Sequence, residues 1–312
     1  MKLALVFPGQ GSQSVGMMQS FADSQPVRDT FTEASDVLRQ DLWKLAAEGP
    51  VEDLNSTVNT QPLMLTAGYA VYRAWREAGG AQPVVVAGHS LGEYTALVVA
   101  GVVAFRDALP LVRFRAQAMQ EAVPLGTGAM AAILGLDDDA VRAACREAAQ
   151  GEVVEPVNFN APSQVVIAGD KAAVERGAAA AKAKGAKRAM MLPVSAPFHS
   201  SLLKPAAQRL EQYLVKVAFN APQLQVVNNV DVLVAAEPQK IKDALARQAC
   251  NPVRWVEVIQ HMARSGVTHV AECGPGKALA GLTKRIDGAL QGLAIADAAS
   301  LAQAVQTLQQ VA

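Results

Sequence analysis

The sequence predicts an α/β fold with a mainly parallel sheet and an inserted second unit. Short β-branched runs alternate with helical stretches along most of the 312 residues, which is the pattern of a parallel sheet covered by helices. Residues 125–196 interrupt that alternation with a different order of elements. The composition is 51% hydrophobic and 18% charged, which supplies enough apolar side chains for a large domain with a smaller insert.

The larger unit is predicted from runs on both sides of the interruption. Short apolar, β-branched runs predict strands at 3–7, 84–87, 225–228 and 268–273. Apolar residues at helical spacing predict helices at about 28–48, 62–78, 91–104, 107–123, 203–217, 239–248, 253–265, 277–286 and 298–311. The stretch 84–104 has the length and apolar content of a membrane span, but His89, Ser90 and Glu93 near its start favour a strand, a turn and a buried helix.

The insert begins at a cluster of helix-breaking residues from Pro124 to Gly128, and Pro193 and Pro197 mark its end. Its predicted elements are a strand at 129–136, a helix at 139–149, strands at 153–160 and 164–169, a helix at 171–184 and a strand at 187–194. This βαββαβ order is that of a ferredoxin-like unit. We therefore expect a ferredoxin-like insert over 125–196 and a larger domain made of 1–124 and 197–312.

Charge and cysteine content argue against several classes of function. Lys plus Arg and Asp plus Glu both number 28, so no overall field attracts nucleic acid or an anionic membrane. Cys145, Cys250 and Cys273 are far apart and lack CxxC spacing, which gives no support for a disulfide framework or a zinc site. The apolar run in residues 1–10 is too short for a signal peptide. We therefore expect a reduced, cytoplasmic protein.

The segment GHSLG (88–92) predicts a nucleophile. It follows an apolar strand and precedes an apolar helix, as the nucleophile-elbow pattern G-x-S-x-G requires. The glycines let strand and helix pack closely around Ser90, and the helix N-terminus favours developing negative charge there. Glu93 in the first turn suits the positive helix end, and His89 is interpreted as turn packing. A plain strand–turn–helix containing a serine is the alternative.

A second glycine-rich loop, FPGQGSQ (7–13), follows the first predicted strand. A dinucleotide-binding loop would need glycine at position 14, where Ser14 stands, and the P-loop ending Gly-Lys-Ser/Thr is missing. The loop can instead present backbone N–H groups. An oxyanion hole takes one N–H from the residue after the nucleophile, Leu91, and one from another loop, for which Gln10 is the candidate. A structural turn fits this loop equally well.

His199 is the predicted base for Ser90. It lies in a proline-marked loop where the insert rejoins the larger domain, and sites are often assembled at such junctions. His261 and His269 fall in a predicted helix and strand, so surface or core roles are expected for them. No Asp or Glu stands out as a third member, and a backbone carbonyl can orient the ring instead.

Arg115 is predicted to be buried. On a helical wheel of 107–123 it falls in the middle of an apolar face. That face consists of Ala108, Leu111, Val112, Met119, Ala122 and Val123. A buried arginine needs an anionic partner, either an internal carboxylate or the carboxylate of a substrate. The wheel alone favours the internal ion pair.

Seven segments together resemble one family, the malonyl-CoA:acyl carrier protein transacylases of bacterial type II fatty acid synthesis. They are FPGQGSQ (7–13), TQP (60–62), GHSLGEYTAL (88–97), VNFNAPSQVVIAG (157–169), PVSAPFHS (193–200), NPVRW (251–255) and CGPGKALAGLTKR (273–285). They occur in the family's order and span nearly the whole chain. The resemblance implies an α/β-hydrolase-like large domain with a mainly parallel sheet and a ferredoxin-like insert.

The resemblance also implies roles for particular residues. Ser90 matches the acylated nucleophile, His199 its base, and Arg115 the arginine that binds the malonyl carboxylate, in place of an internal ion pair. The backbone amides of Gln10 and Leu91 match the oxyanion hole, and the backbone carbonyl of Gln248 matches the group that orients the histidine. Further positions of the substrate pocket match Gln61, Asn160 and Phe198.

The implied reaction moves a malonyl group from malonyl-CoA to holo acyl carrier protein through a malonyl-serine intermediate. No cofactor or metal is expected, since coenzyme A and phosphopantetheine belong to the substrates, and a monomer is expected. Malonyltransferases of polyketide synthesis or malonate decarboxylase share the motifs and remain open. A serine hydrolase and a catalytically silent scaffold are the more distant alternatives. Basic residues of the insert, Lys182 and Lys184 among them, are either a carrier-docking surface or a solvated helix face.

Overall fold

The computed structural model describes residues 1–309 and contains two sheets. The strands in chain order are β1 (Leu3–Phe7), β2 (Val85–Gly88), β3 (Gly128–Leu134), β4 (Val154–Ala161), β5 (Gln164–Asp170), β6 (Arg188–Met191), β7 (Gln225–Val226), β8 (His269–Cys273) and β9 (Gln291–Ile295). The larger sheet has the order β7-β2-β1-β8-β9, and its neighbouring strands all pair in parallel. The prediction of an α/β fold with a mainly parallel sheet is therefore confirmed.

Helices cover the larger sheet on both faces. In chain order they are α1 (Gln25–Leu38), α2 (Leu42–Glu48), α3 (Val51–Asn55), α4 (Thr57–Glu77), α5 (Gly92–Val99), α6 (Phe105–Glu121), α7 (Asp138–Ala149), α8 (Lys171–Ala183), α9 (Lys204–Leu214), α10 (Pro238–Gln248), α11 (Trp255–Arg264), α12 (Ala278–Ile286) and α13 (Ala298–Gln309). One apolar cluster joins β1 to α4, α5 and α6, and a second joins the opposite face to α11 and α12. No helix within residues 1–309 combines the length and the apolar character needed to cross a membrane.

Several predicted elements differ from the structure. The single helix predicted at 28–48 is two helices, because Arg39 adopts the left-handed conformation (φ 51°) and Asp41 then caps α2 by accepting a 2.8 Å bond from the Lys44 amide. Strand β9 was missed: it is a short edge strand that contains a glycine and pairs only with β8 on one side. Of the helix predicted to end at 311, residues 310 and 311 lie outside the described residues.

The smaller sheet is antiparallel, with the order β4-β5-β3-β6. Its elements follow the chain as β3, α7, β4, β5, α8 and β6, in agreement with the predicted βαββαβ order. Strand β6 ends at Met191, before Pro193, because proline cannot donate to a ladder. The backbone of Val253 donates to Val157 (2.8 Å) and accepts from Phe159 (3.0 Å), which ties β4 to the segment that precedes α11.

Candidate active site

Ser90 lies on the sharp turn between β2 and α5. Its backbone has the left-handed φ of 53°, which a serine adopts only where the surroundings hold it there. The Ser90 N–H donates to Asn229 Oδ1 at 2.7 Å, and the Ser90 carbonyl accepts from Gln248 Nε2 at 3.0 Å. Both ends of the strained residue are therefore hydrogen-bonded to side chains from other parts of the chain.

The two glycines around Ser90 are required by close backbone contacts. A Cβ on Gly88 would lie 1.8 Å from the carbonyl carbon of Gly92, and a Cβ on Gly92 would lie 2.0 Å from the carbonyl oxygen of Phe7. No side chain fits at such distances, and the atoms in the way belong to the backbone. The tight strand–turn–helix that the sequence predicted is therefore a steric requirement of this site.

Ser90 and His199 form the reactive pair. Ser90 Oγ lies 2.7 Å from His199 Nε2, and His199 Nδ1 lies 2.8 Å from the backbone oxygen of Gln248. Because a carbonyl only accepts, Nδ1 carries the proton and Nε2 accepts from the serine hydroxyl. Burial, followed by the positive charge of Arg115, lowers the pKa of His199 to about 3. The free ring is therefore neutral and ready to take a proton.

Arg115 is buried beside the nucleophile, with a side chain 2% exposed. It donates to Gln61 Oε1 (2.6 Å), to Gln248 Oε1 (2.9 Å) and to Ser90 Oγ (3.1 Å). Its Nε has no hydrogen-bond partner within the part of the chain that the structure describes. The wheel placed Arg115 on the correct face. The internal ion pair it favoured was wrong, because two neutral amides and a hydroxyl take the place of a carboxylate.

The loop between β1 and α1 lies directly against the turn that carries Ser90. A Cβ on Gly9 would lie 2.5 Å from the carbonyl oxygen of His89, so the two backbones touch. Gln10 and Leu91 both line the cavity at Ser90. Neither of their backbone N–H groups donates a hydrogen bond to any group in residues 1–309. Two free donors beside the nucleophile are what an oxyanion hole needs.

The cavity above Ser90 has a volume of about 120 Å³. Polar groups lie at its base, and apolar side chains from the smaller sheet and the following loop form one wall. Its lining residues are Gln10, Gln61, His89, Ser90, Leu91, Arg115, Met130, Asn158, Leu192, Val194, Phe198 and His199. A charged group at the base and an apolar wall suit a short acyl group that ends in a carboxylate.

The structure brings all but one of the predicted side chains to this cavity or its base. Asn160 was expected to line the pocket, but it is not among the residues around the cavity, and its Oδ1 lies 2.8 Å from His89 Nε2. Asn158 lines the cavity in its place. The register of β4 shifts twice, between Pro156 and Asn158 and again between Phe159 and Ala161. Simple alternation along the strand therefore does not predict which asparagine faces the site.

Two residues that hold the turn at Ser90 were not assigned this role from the sequence. Glu93 was interpreted as a helix-end charge, but its buried carboxylate accepts from the Asn229 backbone (2.9 Å) and from Gln248 Nε2 (2.9 Å). Asn229 also donates from Nδ2 to the Gly88 carbonyl at 2.8 Å. The signal for Asn229 was its position just after β7, which pairs with β2, since parallel strands bring their carboxyl ends to one edge.

Comparisons with known proteins agree on one family. A family model described as an acyl transferase domain matches residues 4–303. The malonyl CoA-acyl carrier protein transacylase of Escherichia coli K12 is 56% identical over 306 residues, covering 98% of this chain and 99% of that protein. The solved acyl-carrier-protein S-malonyltransferase of Burkholderia pseudomallei 1710b is 69% identical, with a TM-score of 0.97 over 98% of this chain and 100% of that one. A malonyl-transacylase solved with a type II PKS acyl-carrier protein is 53% identical, with a TM-score of 0.97 over the same shares.

Proposed function

The chain belongs to the acyl transferase domain family, and from that membership and the geometry of its site we propose the reaction it performs. It is an acyltransferase that moves a malonyl group from malonyl-CoA to the phosphopantetheine thiol of acyl carrier protein, for fatty acid elongation. One observation carries the assignment: the Ser90–His199 pair lies beside a buried arginine that contacts no carboxylate among the described residues.

In the first half-reaction Ser90 Oγ attacks the thioester carbonyl of malonyl-CoA while His199 Nε2 takes its proton. The negative charge that develops on the carbonyl oxygen is held by the free N–H groups of Gln10 and Leu91. The tetrahedral intermediate then collapses. The carbon–sulfur bond breaks, and the imidazolium of His199 returns the proton to the leaving coenzyme A thiolate. Malonyl-serine remains on the enzyme.

In the second half-reaction the thiol of phosphopantetheine attacks malonyl-serine. His199 Nε2 takes the thiol proton, the same two amides hold the oxyanion, and the proton goes to Ser90 Oγ as the ester bond breaks. The Gln248 carbonyl holds Nδ1–H throughout, so the same tautomer serves both halves. Substrates that share one site in turn give ping-pong kinetics.

Arg115 selects the malonyl group. Its guanidinium now donates to Gln61, Gln248 and Ser90 Oγ, and a substrate carboxylate offers a charged acceptor in place of the hydroxyl. Gln61 is itself anchored by donating to Thr57 Oγ1 (3.1 Å), which donates to Gln10 Oε1 (2.8 Å). This chain of bonds links the arginine to the loop that supplies the oxyanion donor.

The apolar wall completes the pocket. Phe198 and Met130 line the same cavity as Arg115 and belong to one apolar cluster, which gives the acyl chain an apolar surface. A serine hydrolase would instead let water attack the acyl-serine and release free malonate. Transfer to a polyketide carrier is a second candidate, favoured by the relative solved with a type II PKS acyl-carrier protein.

The same proposal includes the finer description of the fold and the setting of the protein. Residues 1–124 and 197–312 form an α/β-hydrolase-like catalytic domain, and residues 125–196 form a ferredoxin-like insert. The protein acts in the cytoplasm as a monomer, binds neither nucleic acid nor membrane, and needs no cofactor beyond the groups its substrates carry.

Basic residues of the insert are the candidate docking surface for an acidic carrier protein. Of the basic residues of the insert, Arg176 pairs with Glu152 (2.6 Å) and Lys184 pairs with Glu147 (2.8 Å). These pairs partly neutralise the face that was considered for an acidic carrier protein. Reversing the charge of Lys182 and Lys184 tests it: a higher KM for the carrier supports docking there, and an unchanged KM argues for a solvated helix face.

The experiment that tests the function follows the acyl group by mass. The wild type and Ser90→Ala are incubated with malonyl-CoA or acetyl-CoA, and intact masses are recorded before and after holo acyl carrier protein is added. A malonyl adduct that needs Ser90, persists without the carrier and moves to it supports the proposal. Free malonate without a persistent adduct indicates a hydrolase, and a folded protein with neither adduct nor turnover indicates a scaffold.

A further inference from the structure

A buried carboxylate lies beneath the reactive pair and takes no part in the mechanism above. The side chain of Glu93 is 2% exposed, and its Oε2 accepts from the Asn229 backbone N–H and from Gln248 Nε2, both at 2.9 Å. Burying a carboxylate is costly unless donors or opposite charge compensate it. Asn229 and Gln248 therefore compensate the burial of the Glu93 carboxylate.

Both donors hold the strained peptide of Ser90. Asn229 Oδ1 accepts from the Ser90 N–H, and Gln248 Nε2 donates to the Ser90 carbonyl. Moving either side chain would release one end of a residue held at φ 53°. The position of Ser90 Oγ, and of the Leu91 amide that follows it, thus depends on these two residues.

The amide of Gln248 connects Glu93 to the rest of the site. Its Oε1 accepts from Arg115 Nη2 at 2.9 Å, while its Nε2 faces Glu93. A positive group at one end and a negative group at the other fix which way the amide points, since a flipped amide would set donor against donor and acceptor against acceptor. The backbone carbonyl of the same residue orients His199.

We propose that Glu93, as a carboxylate, is the positioning residue of this site and acts through Asn229 and Gln248 to hold Ser90, His199 and Arg115 in their reactive arrangement. This inference rests on the proposed function, because it concerns how the same site is held. A protonated carboxyl accepts more weakly and carries an O–H, whereas both of its partners are donors. Losing the charge of Glu93 therefore loosens the site.

Among the titratable groups around the site, Glu93 is the one whose protonation changes near neutral pH. Burial raises the pKa of Glu93 to about 7, against the opposing effects of Gln248, Asn229 and the charge of Arg115. Burial lowers the pKa of His89. The other groups that face Glu93 keep one protonation state between pH 6 and 8. His199 stays neutral, and Tyr94 stays neutral because burial raises its pKa. Asp231 stays ionised because its hydrogen bond with Arg247 lowers its pKa.

The test measures single-turnover acylation of Ser90 between pH 5.5 and 8.5. Malonyl-pantetheine is the donor, because it lacks the phosphates of coenzyme A that titrate in this range, and quenched samples are read by intact mass. For the wild type we expect the rate to fall roughly 10-fold as the pH drops through 7, from weakened hydrogen bonds to the charged group. Glu93→Gln keeps the shape of the side chain, and we expect a low rate that no longer changes with pH.

Glu272→Gln is the matched control. Glu272 is also fully buried, its pKa is also raised to about 7 by burial, and its Oε2 accepts from the Ala280 amide at 2.9 Å, away from Ser90. We expect this variant to keep the wild-type rate and pH profile.

Three results would overturn the inference. One is an acylation rate of the wild type that does not change between pH 5.5 and 8.5 although the malonyl adduct forms. This result needs no variant, so it does not depend on whether Glu93→Gln folds. Another is a folded Glu93→Gln protein with the wild-type rate and profile. The third is a wild type that forms no malonyl adduct at any pH, which would refute the proposed function as well, so the two failures are distinguishable.

Discussion

Replacing Arg115 by alanine should separate malonyl transfer from acetyl transfer. A hydrogen bond to a charged group contributes about 1.5–3 kcal/mol, and a carboxylate binds a guanidinium through two such bonds. In the free protein Arg115 already donates to Gln61, Gln248 and Ser90 Oγ. Binding of the substrate carboxylate therefore replaces hydrogen bonds to neutral acceptors by stronger ones to a charged acceptor, and only the difference in free energy counts. The net loss is therefore about 2–3 kcal/mol, or roughly 30- to 150-fold in the malonyl-to-acetyl ratio of kcat/KM.

The assay measures kcat/KM for acylation of Ser90 by malonyl-CoA and by acetyl-CoA, with thermal unfolding as the check on folding. Arg115→Lys is the control, because it keeps the charge but not the planar pair of donors, and we expect it to fall between the wild type and Arg115→Ala. An equal fold loss for both donors in a folded Arg115→Ala protein would refute the role of Arg115 in selection. Arg115 would then act only by holding Ser90 Oγ and Gln248.

Two further predictions test the oxyanion hole and the buried acid. Gly9→Ala would place a Cβ 2.5 Å from the His89 carbonyl oxygen and displace the Gln10 amide, so we expect kcat to fall roughly 100-fold. Gly281→Ala is the control, because a Cβ there meets open space, and it should keep the wild-type kcat. Equal kcat values for the two variants would contradict the role of the Gln10 amide. Burial raises the pKa of Glu272 from 4.5 to about 7, so its ionisation costs the folded state roughly 3 kcal/mol as pH rises through that window. Urea unfolding measures the free energy of unfolding at each pH, and Glu272→Gln should lack the loss that Glu272 causes in the wild type. Parallel plots of this free energy against pH for the two proteins would contradict the prediction.

The sequence predicted the parts of the site that depend on local constraints. The turn at Ser90 follows from two glycines whose Cβ atoms would strike backbone, and the burial of Arg115 follows from its position on a helix face. The partners of Arg115 could not be predicted in the same way. Gln61 comes from α4 and Gln248 from α10, and only the folded chain brings them to α6.

The errors have a similar origin. Glu93 was interpreted from its place in the first turn of α5, but its bonds go to Asn229 and Gln248, which are distant in sequence. Asn160 was assigned to the pocket, and a register shift in β4 turns Asn158 toward it instead. In the larger fold, β9 was missed because an edge strand needs little apolar alternation when a partner such as β8 supplies its hydrogen bonds.

The cavity wall has a consequence for how relatives of this protein diverge. Met130, Asn158, Leu192 and Val194 all come from one contiguous stretch, the smaller sheet and the loop that follows it, while Ser90 and His199 come from outside it. Substitutions within that stretch can therefore reshape the space offered to the acyl chain without altering the proton transfers. The apolar part of the acyl pocket can therefore evolve with the insert, while recognition of the carboxylate by Arg115 stays with the segments that carry Ser90 and His199.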